Sequence, residues 1–189
     1  MDIFFWAQII GLIGGIGGIL SYQAACSKSI LRIGSISTYL WALHFFLLNS
    51  PAAAITTTLG ASRDFISTYI PARWIPHLVI SMTSISLMLI MTLDFGIYGL
   101  IAGLATISCA LATLCQSNSL FLRIYHLMAE IFYLILSVAA LSAPGIVFGV
   151  FGLLSSLTGA VRHESVLAPF KERAIQIFAL RAIRIRSGS

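Results

Sequence analysis

Residues 120–141 read LFLRIYHLMAEIFYLILSVAAL. An α-helix needs roughly 20 apolar residues to cross a hydrocarbon layer about 30 Å thick, and this run supplies them. Its charged or readily titrating side chains are Arg123, His126 and Glu130. With Ser119, Tyr133 and Ser137 they recur at steps of four and three, which places them on one helical face. The other faces carry Leu, Ile, Phe, Met, Val and Ala. Glu130 sits about ten residues from the start of the run, roughly 15 Å deep at the helical rise. A carboxylate at that depth costs several kcal/mol unless it is paired, neutralised or hydrated, so this stripe must turn into a bundle interior.

Six further stretches have the same character: 3–22, 29–48, 51–70, 74–93, 95–115 and 144–162. The connections are short. Asn49-Ser50-Pro51, Asp94 and Ser142-Ala143-Pro144 are the clearest breaks, and Pro51, Pro76 and Pro144 fall near helix starts, where a missing N–H does little harm. The whole chain is 59% hydrophobic and 9% charged. A soluble domain is usually about 25% charged, because it must cover its surface with polar groups. Lipid must therefore be the solvent for most of this surface.

The charges also give an orientation. With the N-terminus outside, the outer segments are Met1-Asp2, Asn49-Ser50, the Asp94 turn and Ser142-Ala143, and they hold no Lys or Arg. All eleven basic residues fall on inner segments or adjoining helix ends: Lys28, Arg32, Arg63, Arg73, Arg123, Arg162, Lys171, Arg173, Arg181, Arg184 and Arg186. The opposite topology would break the positive-inside rule throughout. A basic cytoplasmic tail, 164–189, follows the helices, and it fixes topology or is drawn to anionic headgroups. The net charge of +5 is thus a matter of orientation, and no nucleic-acid partner is expected. The three cysteines, Cys26, Cys109 and Cys115, have neither paired nor metal-like spacing and are expected as free thiols. Gln23-Ala24-Ala25-Cys26 faintly resembles a lipoprotein cleavage box, but no basic segment precedes it, so the first run is expected to stay as a helix.

The two ends of the chain resemble each other. Ile9-Ile10-Gly11-Leu12-Ile13-Gly14-Gly15 matches Ile97-Tyr98-Gly99-Leu100-Ile101-Ala102-Gly103, Leu31-Arg32 matches Leu122-Arg123, and Asn49-Ser50-Pro51 matches Ser142-Ala143-Pro144. Gly60-Ala61-Ser62-Arg63 likewise matches Gly159-Ala160-Val161-Arg162. The order is the same in both halves. Helices 1–3 (about 3–70) then correspond to helices 5–7 (about 95–162), with the helix at 74–93 as a linker. An odd linker keeps both triplets in one orientation, as in transporters built from parallel repeats.

Other motifs have plainer explanations. The glycines of the first helix follow no strand, so they read as close-packing positions and not as a phosphate loop. Arg63 either snorkels toward inner headgroups or pairs inside the bundle, with the neighbours of Asp64 or with Glu130. His44 and Gln8 lie in outer parts of their helices, where a lone polar group is more often an interhelical hydrogen bond than a ligand. No metal spacing, nucleophile elbow or carboxylate pair marks a reaction, so no enzyme, metal or cofactor is expected.

Trp6-Ala7-Gln8, Leu43-His44-Phe45-Phe46-Leu47-Leu48 with Pro51-Ala52-Ala53-Ala54, and Leu59-Gly60-Ala61-Ser62-Arg63 carry a resemblance to a bacterial inner-membrane family usually called YgjV-like. Weaker similarity runs through Arg123 to Thr158-Gly159-Ala160-Val161-Arg162. The resemblance implies a bacterial inner-membrane location and no particular reaction.

The expected architecture is an all-α integral membrane protein. Residues 1–163 form seven transmembrane helices in a three-plus-one-plus-three plan, with the N-terminus out and the C-terminus in. That plan looks similar to sugar-facilitator and vitamin-uptake transporters, although their Pro-Gln kink is absent, and fold does not fix function. Two functions remain open. A small-solute transporter would have a central polar cavity lined by Glu130, His126, Tyr133, Arg63, His44 and Gln8. A non-transporting sensor, assembly or interaction protein would bury Glu130 against Arg63 or His126 with no cavity beside it. The lipid bilayer is the one partner expected in either case.

Overall fold

A computed structural model describes residues 3–49, 51–93, 96–139 and 143–163. The tail 164–189 and the turn residues Ser50, Asp94 and Ser142 lie outside the described residues.

Each apolar stretch is a helix, and side-chain chemistry sets several of the ends. α1 (Ile3–Ser21) stops where the Ser21 hydroxyl donates to the Gly18 carbonyl at 2.7 Å. α2 (Ser27–Leu47) ends at Asn49, whose φ of 56° turns the chain into the left-handed region. Asn tolerates that region better than other side chains do, and Pro51 can then open α3 (Pro51–Ser67) without losing a hydrogen bond. A single 3-10 turn, Ala72–Trp74, leads into α4 (Ile75–Leu93), followed by α5 (Ile97–Leu114). α6 (Ser119–Ala139) starts under a cap, with the Leu120 and Phe121 N–H groups donating to Asn118 Oδ1 at 3.0 and 3.3 Å. α7 (Ala143–His163) completes the set. Among the described residues there is no strand.

The main departure from the sequence expectation is in α3, which stops at Ser67 instead of continuing to residue 70. Ser67 donates to the Asp64 carbonyl at 2.7 Å and Thr68 to the Phe65 carbonyl at 2.9 Å. Such local bonds offer the backbone an alternative to the helical ladder. Six of the helices are long and apolar enough to cross a membrane, and α3 is the exception.

Neighbours in sequence are neighbours in space from α1 through to α7, and α7 packs back on α1. α3 also touches α5 directly. The result is a closed ring of α1, α2, α3, α5, α6 and α7, with α4 lying outside it across the α3–α5 seam. The ring is apolar outside and small or polar inside. Ile80, Met88, Met91 and Leu100 are more than 60% exposed, whereas Ala7, Ala61, Ala105, Ser35, Ser37, Ser67 and Ser156 are buried. A continuous exposed hydrophobic surface of this extent is far beyond the few hundred Å² a soluble monomer shows. The interior contacts are of the kind that hold helices together in lipid, small residues and interhelical hydrogen bonds, such as Ser37 Oγ donating to the Gly14 carbonyl.

Candidate functional site

The ring surrounds a partly open cavity of about 280 Å³. Its floor lies at the end of the bundle that holds the α1–α2 turn. There Arg123, 1% exposed, reaches from the second turn of α6 and donates through Nη1 to the Tyr22 carbonyl and through Nη2 to the Ala24 carbonyl, both at 2.6 Å. Those carbonyls follow the last turn of α1, and a cation is well placed to satisfy them. Beside them Gln23 Nε2 donates to Ser155 Oγ at 2.8 Å and to Thr158 Oγ1 at 3.2 Å on α7. The α1–α2 turn is thereby fixed to both α6 and α7. Gly159 makes this possible: a Cβ there would lie 2.1 Å from the Tyr22 oxygen.

Above this floor α6 contributes His126, Glu130, Tyr133 and Ser137 to the cavity wall. Four of the six residues of the expected polar stripe thus face the cavity, Arg123 lies beneath it, and Ser119 opens the helix. Tyr22 Oη donates to Glu130 Oε1 at 2.7 Å, and the Tyr22 and His126 rings meet edge to face with centroids 5.9 Å apart. Opposite, α7 comes close to the carboxylate at Gly152, where a Cβ would lie 3.3 Å from Oε2. Among the described residues no cationic group is within ion-pair distance of Glu130. His126 Nε2 is buried without a hydrogen-bond partner.

The α3 wall carries an ion pair of its own. Arg63, 2% exposed, donates through Nε to Asp64 Oδ1 at 2.8 Å, and Thr113 of α5 donates to the same oxygen. Arg63 therefore pairs with Asp64 itself, not with its neighbours or Glu130, and its burial in the last turn of α3 excludes snorkelling. The Nη2 atom of Arg63 is buried and has no acceptor. Cys109 of α5, a free thiol, also lines the cavity. Trp41, Phe45 and Phe148 form an aromatic wall, with Trp41 5.9 Å from Phe45 and 6.2 Å from Phe148 between ring centroids.

Two of the residues expected at the cavity lie elsewhere. His44, 1% exposed, donates through Nδ1 to the Ala7 carbonyl at 2.7 Å, lying where Gly11 has no Cβ, so it joins α2 to α1. Gln8 is partly buried on α1 and does not line the cavity. Of the repeat-matched residues, Gly60 and Arg63 line the cavity, Gly159 packs on the floor, and Arg162 is exposed near the end of α7. Tyr22, Asp64, Cys109 and Gly152 were not singled out by the sequence. Their partners are distant in the chain, or in the case of Asp64 adjacent, where helical spacing points the two side chains apart. A second hollow of about 420 Å³ between α2 and α3 is walled by Leu43, Phe46, Ile55 and Leu59 among others, and it belongs to the lipid-facing surface.

Apolar outside and charged within, a bundle of this kind is a polytopic integral membrane protein. The chain belongs to the Imp-YgjV family of bacterial inner membrane proteins, whose family model matches residues 5–166. No curated protein and no solved structure matches the chain. It is accordingly a multi-pass protein of the bacterial inner membrane.

Proposed function

We propose that this protein is a small-solute transporter whose substrate occupies the cavity between the two helix triplets. The observation that carries this reading is Glu130, without an ion pair among the described residues, on the wall of a 280 Å³ space inside the ring. A purely structural carboxylate would be expected to lie against Arg63 or His126 with no space beside it. Here its protein partner is a neutral phenol, and the carboxylate also borders the cavity. An ionisable group in the bilayer core is a functional site by default.

Several features support the parallel-repeat plan. α1 packs on α7 and α5 on α3, so the first helix of each triplet meets the last helix of the other. The matched Leu31 and Leu122 share one buried cluster with Tyr22, Ile30 and Ala112. α4 lines no part of the cavity, as a linker would not. Short α3 must traverse the bundle as well, because α2 ends at one end and α4 begins at the other. The basic end of the bundle faces the cytoplasm under the positive-inside rule, which puts the floor made by Tyr22, Gln23 and Ala24 on the inner side. Movement of that turn away from α6 and α7 would open the cavity inward.

The test is uptake. Purified protein reconstituted in lipid vesicles is offered an isotope-labelled bacterial small-molecule extract, and vesicle contents are read by mass spectrometry. At least one small polar solute is expected to accumulate above protein-free vesicles, and Glu130→Gln is expected to abolish the accumulation or its dependence on a proton gradient. No accumulated solute in either direction of the gradient would refute transport.

A further inference from the structure

Resting on the transport reading, we infer that the substrate is a small zwitterion, an amino-acid-like solute whose carboxylate lies on Arg63 and whose cationic end lies on Glu130.

The cavity presents two unmet demands on different walls. On α3, Arg63 is almost wholly buried, its Nε is taken by Asp64, and its Nη2 has no acceptor. A buried guanidinium N–H left unsatisfied carries its full desolvation penalty, and a carboxylate is the acceptor that matches its planar geometry. On α6, Glu130 takes its hydrogen bond from the neutral Tyr22 phenol, has no cation beside it among the described residues, and borders the cavity. The two groups border one compartment, since both line the cavity together with Cys109.

Charge balance selects among solutes. Arg63 and Asp64 cancel, so an ionised Glu130 gives the lining a single negative charge. A simple anion would satisfy Arg63 and be opposed by Glu130. A simple cation would compensate Glu130 and leave Arg63 Nη2 without an acceptor. A zwitterion satisfies both and adds no net charge to a site surrounded by lipid. The volume is just below the usual range of ligand pockets, about 300–1,000 Å³, which fits a solute of amino-acid size. The aromatic wall of Trp41, Phe45 and Phe148 gives an apolar substituent a place to lie.

The test uses protection of Cys109. In full-length protein carrying Cys26→Ser and Cys115→Ser, in vesicles, Cys109 is alkylated with a small maleimide. The competitors are glycine, alanine, leucine, phenylalanine and glycine betaine, together with the two half-analogues of leucine, 3-methylbutylamine and 4-methylpentanoate. At least one zwitterion is expected to slow labelling at a concentration at least tenfold below that needed for either half-analogue. Arg63→Lys is expected to reduce the advantage over the amine, and Glu130→Gln the advantage over the acid, while protection in the unsubstituted background needs neither variant to fold. Equal protection by a half-analogue, or labelling that no zwitterion slows, overturns the zwitterion assignment while leaving transport of another class in place. No accumulation of any solute in the vesicle uptake assay overturns the transport reading and this inference with it.

Discussion

Gly60 and Gly159 stand at matching places in the two Gly-x-x-Arg motifs, yet their surroundings differ. A Cβ on Gly60 would meet nothing within 4 Å, whereas on Gly159 it would meet the Tyr22 carbonyl oxygen at 2.1 Å and Arg123 Nη1 at 2.7 Å. Gly159→Ala is therefore expected to destabilise by about 1–3 kcal/mol, the usual cost of overpacking. Gly60→Ala should be neutral or stabilising by up to about 1 kcal/mol, since Ala is the better helix former. Thermal unfolding in one detergent compares them directly, and equal losses would refute the placement of the α1–α2 turn. Cys26 offers a second residue-level check. It is exposed at the start of α2, and its thiol sits below the ordinary range because the Ser29 hydroxyl, 3.0 Å away, and nearby backbone N–H groups stabilise the thiolate. A lowered pKa means more thiolate at pH 7 and faster alkylation. Ser29→Ala should move the pH midpoint of iodoacetamide reaction upward and slow labelling at pH 7.

At the scale of elements, the α1–α2 turn is held by two carbonyl-to-guanidinium bonds and a glutamine on α7. Arg123→Leu removes both charge-assisted bonds and leaves two buried carbonyls unpaired. Bonds to charged groups contribute about 1.5–3 kcal/mol each, so a loss of about 3 kcal/mol or more is expected, together with faster protease cleavage between residues 22 and 27. Denaturation in mixed micelles and limited proteolysis measure the two effects. This clamp also marks how far the sequence could be read. The helices were legible because a bilayer leaves the backbone no alternative, and runs of about 20 apolar residues then declare themselves. The wall contributed by α6 was legible because its period is local, as for His126, Glu130 and Tyr133. The tie from Arg123 to Tyr22 was not, because it joins residues 101 positions apart and follows from how helices pack. For the same reason the sequence offers Glu130 only Arg63 or His126 as a protein partner, and its hydrogen bond comes from Tyr22, 108 positions away. The end of α3 was misplaced because Ser67 and Thr68 bond to their own turn, a choice that composition does not reveal.

For the whole molecule, sidedness is the property to measure. Cys26 is the exposed cysteine, whereas Cys109 and Cys115 are partly covered. If the basic end is cytoplasmic, a membrane-impermeant maleimide should label Cys26 in inside-out vesicles and spare it in intact spheroplasts. Labelling in spheroplasts would reverse the proposed orientation. The transport proposal would then need the Tyr22–Ala24 floor at the outer face, with inward opening at the other end of the ring.

The seam between α1 and α7 has a consequence for biogenesis. Gln23 bonds to Ser155 and Thr158, and the Ser155 hydroxyl donates to the Ile19 carbonyl at 2.7 Å. α1 leaves the ribosome well before α7 and thus finds its partner there only when α7 has been synthesised. Until then the amide of Gln23 and the carboxylate of Glu130 face membrane with the α7 side of their enclosure missing, and a nascent chain arrested before residue 143 presents the cell with an open ring for its quality-control proteases to recognise.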